Sequence, residues 1–165
     1  MTQEEIDEAF AGMDPYFLET LREAAANIES FHRQQVHKNF VVNDKPGIVL
    51  GQKYTPIEKA GVYVPGGTAA YPSTVLMDVI PAKVAGVSEI VMTTPAGKDG
   101  KIDPVILAAA ATAGVTRIFK TGGAQAVAAL AYGTQSIPAV DKIRRPGQYL
   151  CRHCQEKVLA RWAST

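Results

Sequence analysis

Two different hydrophobic periods run along this chain. Between Pro15 and about His37 apolar residues recur three or four positions apart, which predicts one long amphipathic helix. These residues are Phe17, Leu18, Leu21, Ala24, Ile28 and Phe31. Asp14 before Pro15 is typical of a helix start, because the carboxylate can cap the first turn and proline suits the first helical position. Thr2 and Glu5 have capping-box spacing, which predicts a short helix before it.

Beyond the long helix, short apolar runs alternate with Ala-rich stretches. Turn residues occupy 43–47, and strands are predicted at 48–50, 61–64, 89–93 and 115–119. Helices are predicted at 73–85, from Asp103-Pro104 to near Gly114, and at 124–131, and we expect Pro81 to kink or split the first of them. This alternation predicts an α/β fold with a parallel sheet and right-handed crossovers.

Size and composition indicate one soluble globular domain. The chain has 165 residues, of which 47% are hydrophobic and 20% charged, and its net charge of +1 does not favour a nucleic-acid partner. No apolar run approaches the roughly 20 residues that span a bilayer, and the first ten residues do not resemble a secretory signal. We therefore expect a cytoplasmic protein that binds neither nucleic acid nor membrane.

Two glycine pairs follow predicted strands. Gly66-Gly67 comes after the strand at 61–64, and Gly122-Gly123 comes after the strand at 115–119. In open α/β sheets ligands bind beyond the carboxyl ends of the strands, so both loops are candidates for one cleft. Tyr63 ends one strand and is either a half-buried aromatic or a ligand contact. Gln125 begins a helix and either caps that helix or binds a ligand.

Other polar residues give weaker indications. His32 and His37 are five positions apart, which does not place two metal ligands on one helical face, so we expect both to face solvent. Cys151 and Cys154 have the spacing of half a zinc site or of a redox motif, but an ordinary zinc site needs two more ligands. A small binding module with a zinc-clipped tail is therefore a minor alternative. No local set of catalytic or metal-binding residues is recognised.

Five segments in order resemble the histidinol dehydrogenase family. They are VYVPGG (62–67), AYPSTVLM (70–77), PAKVAGV (81–87), GGAQAVAALAYGT (122–134) and VDKI (140–143). The helix segment NIESFHRQQ (27–35) is also similar, and the resemblance covers roughly residues 2–143. It implies a partial Rossmann-like (aldehyde-dehydrogenase-like) parallel sheet flanked by helices and preceded by a long N-terminal helix. It also implies a homodimeric zinc enzyme that uses NAD to oxidise L-histidinol, through histidinal, to L-histidine.

The resemblance assigns NAD contacts to Tyr63 and Gln125. A further family contact is an Asn in a Gly-Pro-Gly-Asn segment after VDKI, where this chain has Gln148, so that role is not carried over. The family's Glu-His acid/base pair and its zinc ligands, a Gln, two His and an Asp, lie downstream of these residues. We therefore expect no catalytic and no metal-binding residues in this chain, and no turnover by it alone.

The sequence changes character after Ile143, and this suggests a domain division. We expect a helical segment at 1–40, an incomplete NAD-binding α/β unit at 41–143, and an aberrant tail at 144–165. Back-translation of 144–155, read one base later, can give Ala-Gly-Pro-Gly-Asn-Ile-Tyr-Val-Ala-Thr-Ala, which is similar to the family. We therefore expect a frameshift near Ile143–Arg144 and a second slip near Lys157. A non-catalytic truncated fragment is the alternative to an enzyme.

Overall fold

The structure, a computed structural model, describes residues 3–66 and 70–144. Its elements in chain order are α1 (Gln3–Ala11), α2 (Pro15–Arg33), β1 (Phe40–Lys45), β2 (Ile48–Gln52), β3 (Lys59–Tyr63), α3 (Pro72–Val84), β4 (Glu89–Thr94), α4 (Pro104–Ala113), β5 (Arg117–Lys120), α5 (Gly123–Tyr132) and β6 (Lys142–Arg144). Thr2, Gly67, Gln148, Cys151, Cys154 and Lys157 were singled out in the sequence and lie outside the described residues.

Four strands form a parallel sheet in the order β5-β4-β3-β6. The chain first moves from β3 outward to β4 and β5, and then returns to the other side of β3 to form β6. The direction of progression therefore reverses between β3 and β6, and such a reversal opens a crevice at the carboxyl ends of the strands. This arrangement confirms the predicted α/β class with its parallel sheet and flanking helices.

Helices cover both faces of this sheet. Because successive strand residues point to opposite faces, Val62 and Met92 lie in the core cluster shared with α1 to α4. Val91 instead lies in a second cluster with residues of α5 and β6, among them Leu130 and Ile143. Because both faces are covered, every residue of β3 and β4 after the first is buried.

The predicted helix starts are confirmed by their caps. The Asp14 carboxylate accepts a hydrogen bond from the Tyr16 N–H at 3.1 Å, and Asp103 accepts one from the Val105 N–H at 2.8 Å. The α2 helix ends at Arg33 instead of near His37. Ile28 packs against the core, whereas Phe31 is 65% exposed, so the amphipathic face stops before the last turn.

The expectation that Pro81 splits its helix is wrong. Helix α3 runs unbroken from Pro72 to Val84 with Pro81 inside it. Proline in a helix interior costs about 3 kcal/mol, because it removes one backbone hydrogen bond and crowds the preceding turn. Four side chains of α3 are nevertheless fully or almost fully buried, and their packing outweighs that cost. They are Val75, Leu76, Val79 and Ile80.

Strand β6 was not expected from the sequence. Lys142 pairs with Ala60, and Arg144, which opens the predicted tail, pairs with Val62. The Arg144 guanidinium also lies 3.6 Å from the carboxylate of Asp78 on α3, whose side chain is only 11% exposed. Burial raises the pKa of Asp78 above its ordinary 3.8, while the ion pair with Arg144 opposes that rise.

Charged side chains link the amino ends of three neighbouring strands. The Glu89 carboxylate lies 3.6 Å from Lys59 Nζ and 3.2 Å from Arg117 Nε, and the second contact is an ion pair without hydrogen-bond geometry. Asp141, just before β6, accepts a hydrogen bond from the Lys59 N–H at 2.8 Å. All four sheet strands are therefore tied together at the end opposite to the glycine loops.

The two remaining strands form an exposed hairpin. β1 and β2 pair antiparallel, and every residue in both is exposed, including Val41 and Val49. The predicted turn at 43–47 is shorter in the structure, because its first three residues continue β1. Among the described residues, no helix combines the length and the apolar character needed to cross a membrane.

Candidate functional site

Three loops meet at the carboxyl ends of the parallel strands. Gly66 follows β3, Pro95 follows β4 and Gly122 follows β5. A Cβ atom on Gly66 would lie only 2.5 Å from Pro95 Cγ, and one on Gly122 would lie 2.8 Å from Pro95 Cβ. Both glycine loops therefore press against the same proline ring. The structure thus brings together the two loops that the sequence proposed as parts of one cleft.

Tyr63 connects the end of β3 with the start of α5. Its side chain is 6% exposed and packs against Ala126. Its hydroxyl oxygen accepts a hydrogen bond from the Gly123 N–H at 3.2 Å. Tyr63 is therefore more than a half-buried aromatic, because its hydroxyl fixes the second glycine loop relative to the first strand.

Gln125 lies beside the same glycine. It sits in the first turn of α5 and is exposed. Gly123 has a φ of +72°, and a Cβ atom there would lie 2.9 Å from the Gln125 side-chain oxygen. Glycine is therefore favoured at position 123 both by the positive φ and by the lack of room for a Cβ atom. Of the two residues singled out in the sequence, Tyr63 is bonded to Gly123, and the Gln125 side chain lies in the space that a Cβ of residue 123 would enter. We call Tyr63, Gly123 and Gln125 the Gly123 junction.

The Gly123 junction can bind and orient a ligand. The Tyr63 oxygen accepts from Gly123 and keeps its own O–H for donation, while the Gln125 amide can both donate and accept. None of the three residues carries a formal charge, so the junction offers hydrogen bonds and no ionic contact to a ligand. The start of helix α5 adds backbone N–H groups that favour anionic ligands.

Sequence reasoning missed Thr93. This residue is fully buried on β4, pairs in register with Tyr63, and its hydroxyl has no hydrogen-bond partner among the described residues. Strand alternation places it on the same face of the sheet as Val91, beneath α5. The available signal was a hydroxyl residue directly after the apolar run Ile90–Met92 of a doubly covered strand.

A wider cleft of about 710 Å³ adjoins these loops. Gly66 and Pro95 form part of its wall, together with residues of the loop between β4 and α4 such as Lys98 and Lys101. Tyr63 and Gln125 do not line it. The cleft therefore shares Gly66 and Pro95 with the contact between the two glycine loops.

The two histidines of the helical segment do not form a joint site. His32 Nδ1 lies 2.7 Å from the Gln35 side-chain oxygen, and the His37 ring stacks on Tyr54 with centroids 4.8 Å apart. Within residues 3–66 and 70–144, no three His, Cys, Asp or Glu side chains are grouped so that they could hold a metal ion.

Comparison with known proteins decides the family. The family model described as "Histidinol dehydrogenase" matches residues 1–161. The chain belongs to the histidinol dehydrogenase family. Histidinol dehydrogenase of Chlorobaculum tepidum is 57% identical over 143 residues, which are 87% of this chain and 33% of that protein. Histidinol dehydrogenase of Lactiplantibacillus plantarum is 50% identical over 163 residues, which are 99% of this chain and 38% of that protein.

A solved member of the histidinol dehydrogenase family has the same fold. The crystal structure of histidinol dehydrogenase from Elizabethkingia anophelis is 36% identical to this chain and superimposes with a TM-score of 0.91. The match covers 97% of this chain and 37% of that one. The chain thus spans about a third of the length of the relatives that it matches.

Proposed function

We propose that this chain forms the dinucleotide-binding part of a histidinol dehydrogenase. Relatives that are 50–57% identical to this chain over the matched residues carry that name, and the proposed oxidoreductase activity rests on this similarity. The reaction proposed is the NAD-dependent oxidation of L-histidinol, through histidinal, to L-histidine. A homodimer and a cytoplasmic location belong to the same proposal.

One observation carries the proposal. The Tyr63 hydroxyl and the Gly123 N–H join the end of β3 to the start of α5, next to the sheet position where strand order reverses. Dinucleotides bind α/β sheets at such reversal points, against helix N-termini. The residues that the family resemblance assigns to NAD therefore occupy the place where general fold principles expect a dinucleotide.

The chemistry of this site suits NAD. Gly66 and Gly123 are exposed and carry no side chain, so that a phosphate or a ribose could approach their backbone closely. Tyr63 would hold its O–H in a fixed direction, and Gln125 would offer an exposed amide to the ligand. When bound, NAD would accept the hydride that histidinol loses on oxidation.

Zinc belongs to the proposal only through the family. The described residues of this chain contain no grouped set of metal ligands. Substrate polarisation by a metal and proton transfer by a Glu-His pair are therefore assigned to parts of the family fold outside the described residues. We expect the purified 165-residue chain to oxidise no L-histidinol, and NADH formation in the absence of host enzyme would contradict that expectation.

Calorimetric titration with NAD tests the binding role. We expect weak binding to the 165-residue chain, and a further loss of about tenfold in Tyr63→Phe and in Gln125→Ala, the scale of one lost hydrogen bond. Tyr132→Phe and Gln34→Ala make the same chemical changes at exposed positions away from the junction and should bind as the unmodified chain does. Equal affinities of all five proteins would refute the assignment.

A further inference from the structure

Pro95 lies between the two loops of the candidate site. Strand β4 is between β3 and β5, so the residue that follows β4 separates the loops that follow its neighbours. Gly66 approaches Pro95 at Cγ, and Gly122 approaches it at Cβ. The ring is therefore in contact with both loops at once.

The glycines that face this ring have a steric reason to be glycine. Neither Gly66 nor Gly122 is among the glycines with positive φ, and Gly122 has an extended backbone with φ −136° and ψ −177°. Any residue can adopt such a backbone. What excludes a side chain is the proline ring, 2.5 Å from a Cβ on Gly66 and 2.8 Å from one on Gly122.

We propose that Pro95 is a positioning residue that holds Gly66 and Gly122 at a fixed separation. Proline suits this role, since its ring locks φ and does not rotate away as an open side chain does. A fixed separation keeps the Gly123 N–H within hydrogen-bond distance of the Tyr63 hydroxyl. That NAD is the ligand so served rests on the proposed function.

Hydrogen exchange at the Gly123 amide, measured by NMR on the 165-residue chain without nucleotide, tests the spacer role. Pro95→Ala should raise its exchange rate about tenfold, because the bond to Tyr63 opens more often. Exchange at the buried Leu130 amide reports opening of the whole domain. Pro15→Ala, at an exposed helix start, is the matched control and should leave Gly123 unchanged. Unchanged Gly123 exchange in Pro95→Ala would overturn the proposal.

A suppressor pair makes the test specific to the contact. Gly66→Ala should raise Gly123 exchange in the native background, but it should change exchange less than about threefold when combined with Pro95→Ala, because the clashing Cγ is then gone. Gly122→Ala clashes with Pro95 Cβ, which alanine retains, so it should raise exchange in both backgrounds. Equal effects of Gly66→Ala in both backgrounds would contradict the spacer role even if Pro95→Ala is less stable.

Titration with NAD separates this inference from the proposed function. If Pro95→Ala speeds Gly123 exchange and weakens NAD binding, the spacer serves the dinucleotide site. If the native chain binds no NAD, the binding proposal fails, while the exchange measurements still decide the role of Pro95. If exchange changes in Pro95→Ala but NAD affinity does not, the link between spacing and binding is wrong.

Discussion

Replacing Gly123 by alanine places a methyl group at the centre of the candidate site. The backbone there has a φ of +72°, where an L-residue costs about 1–2 kcal/mol relative to glycine. The new Cβ would also lie 2.9 Å from the Gln125 side-chain oxygen. Because Gln125 is exposed, we expect its side chain to swing aside, which adds only about 0.5 kcal/mol or less.

Gly100→Ala provides the matched control. Its φ is +75°, and an added Cβ there has no heavy atom within 4 Å. Equilibrium unfolding in urea should therefore show losses of about 1–2 kcal/mol in both variants, equal within about 0.5 kcal/mol. Only Gly123→Ala should also weaken NAD binding, since only it displaces Gln125. A loss in Gly123→Ala that exceeds the control by more than about 1 kcal/mol would refute a freely moving Gln125 side chain.

Three further measurements test the fold and the tail. Burial raises the folded-state pKa of Asp78, so the native chain should lose stability relative to Asp78→Asn as the pH rises from 3.8 through that raised pKa. A difference in the free energy of unfolding in urea that stays the same at all pH values would contradict this. Leu130→Ala should cost about 2–5 kcal/mol, because Leu130 is fully buried, whereas exposed Leu50→Ala should stay within about 0.5 kcal/mol; similar losses would be the contrary result. Sequencing the coding DNA should reveal an inserted or deleted base near codons 143–144, although the family match extends to residue 161. An intact reading frame there would refute the frameshift hypothesis.

Local signals predicted most of the elements. Asp14-Pro15 and Asp103-Pro104 mark helix starts because their chemistry is complete within a few residues, and the structure shows both caps. The strand predicted at 115–119 begins later, at Arg117. The Val115 N–H is bonded to the Ala110 carbonyl, so this residue still belongs to the helix end. Predicted strand boundaries are therefore wrong where β-branched residues such as Val115 take part in the hydrogen bonds that end a helix.

Features created by long-range packing could not be predicted. The three residues of β6 are too few to show a period, and they are a strand because β3 pairs with them. Pro81 remains helical because α3 is buried between the sheet and neighbouring helices, which no local rule registers. The candidate site also combines local and long-range features. Tyr63 and Gln125 were predicted from their positions at a strand end and a helix start and from family resemblance. Pro95 matters only because β4 lies between β3 and β5.

The ion pairs of Glu89 with Lys59 and Arg117 lie at one end of the sheet, and the uncharged contacts of Pro95 with Gly66 and Gly122 lie at the other. Lys59 and Arg117 are partly exposed, so salt weakens their attraction to Glu89, whereas it has little effect on a proline ring packed between glycines. Ionic strength should therefore alter the cohesion of the strand starts and leave the shape of the ligand end intact. The stability of this domain can therefore depend on salt concentration while the geometry of its candidate binding loops does not.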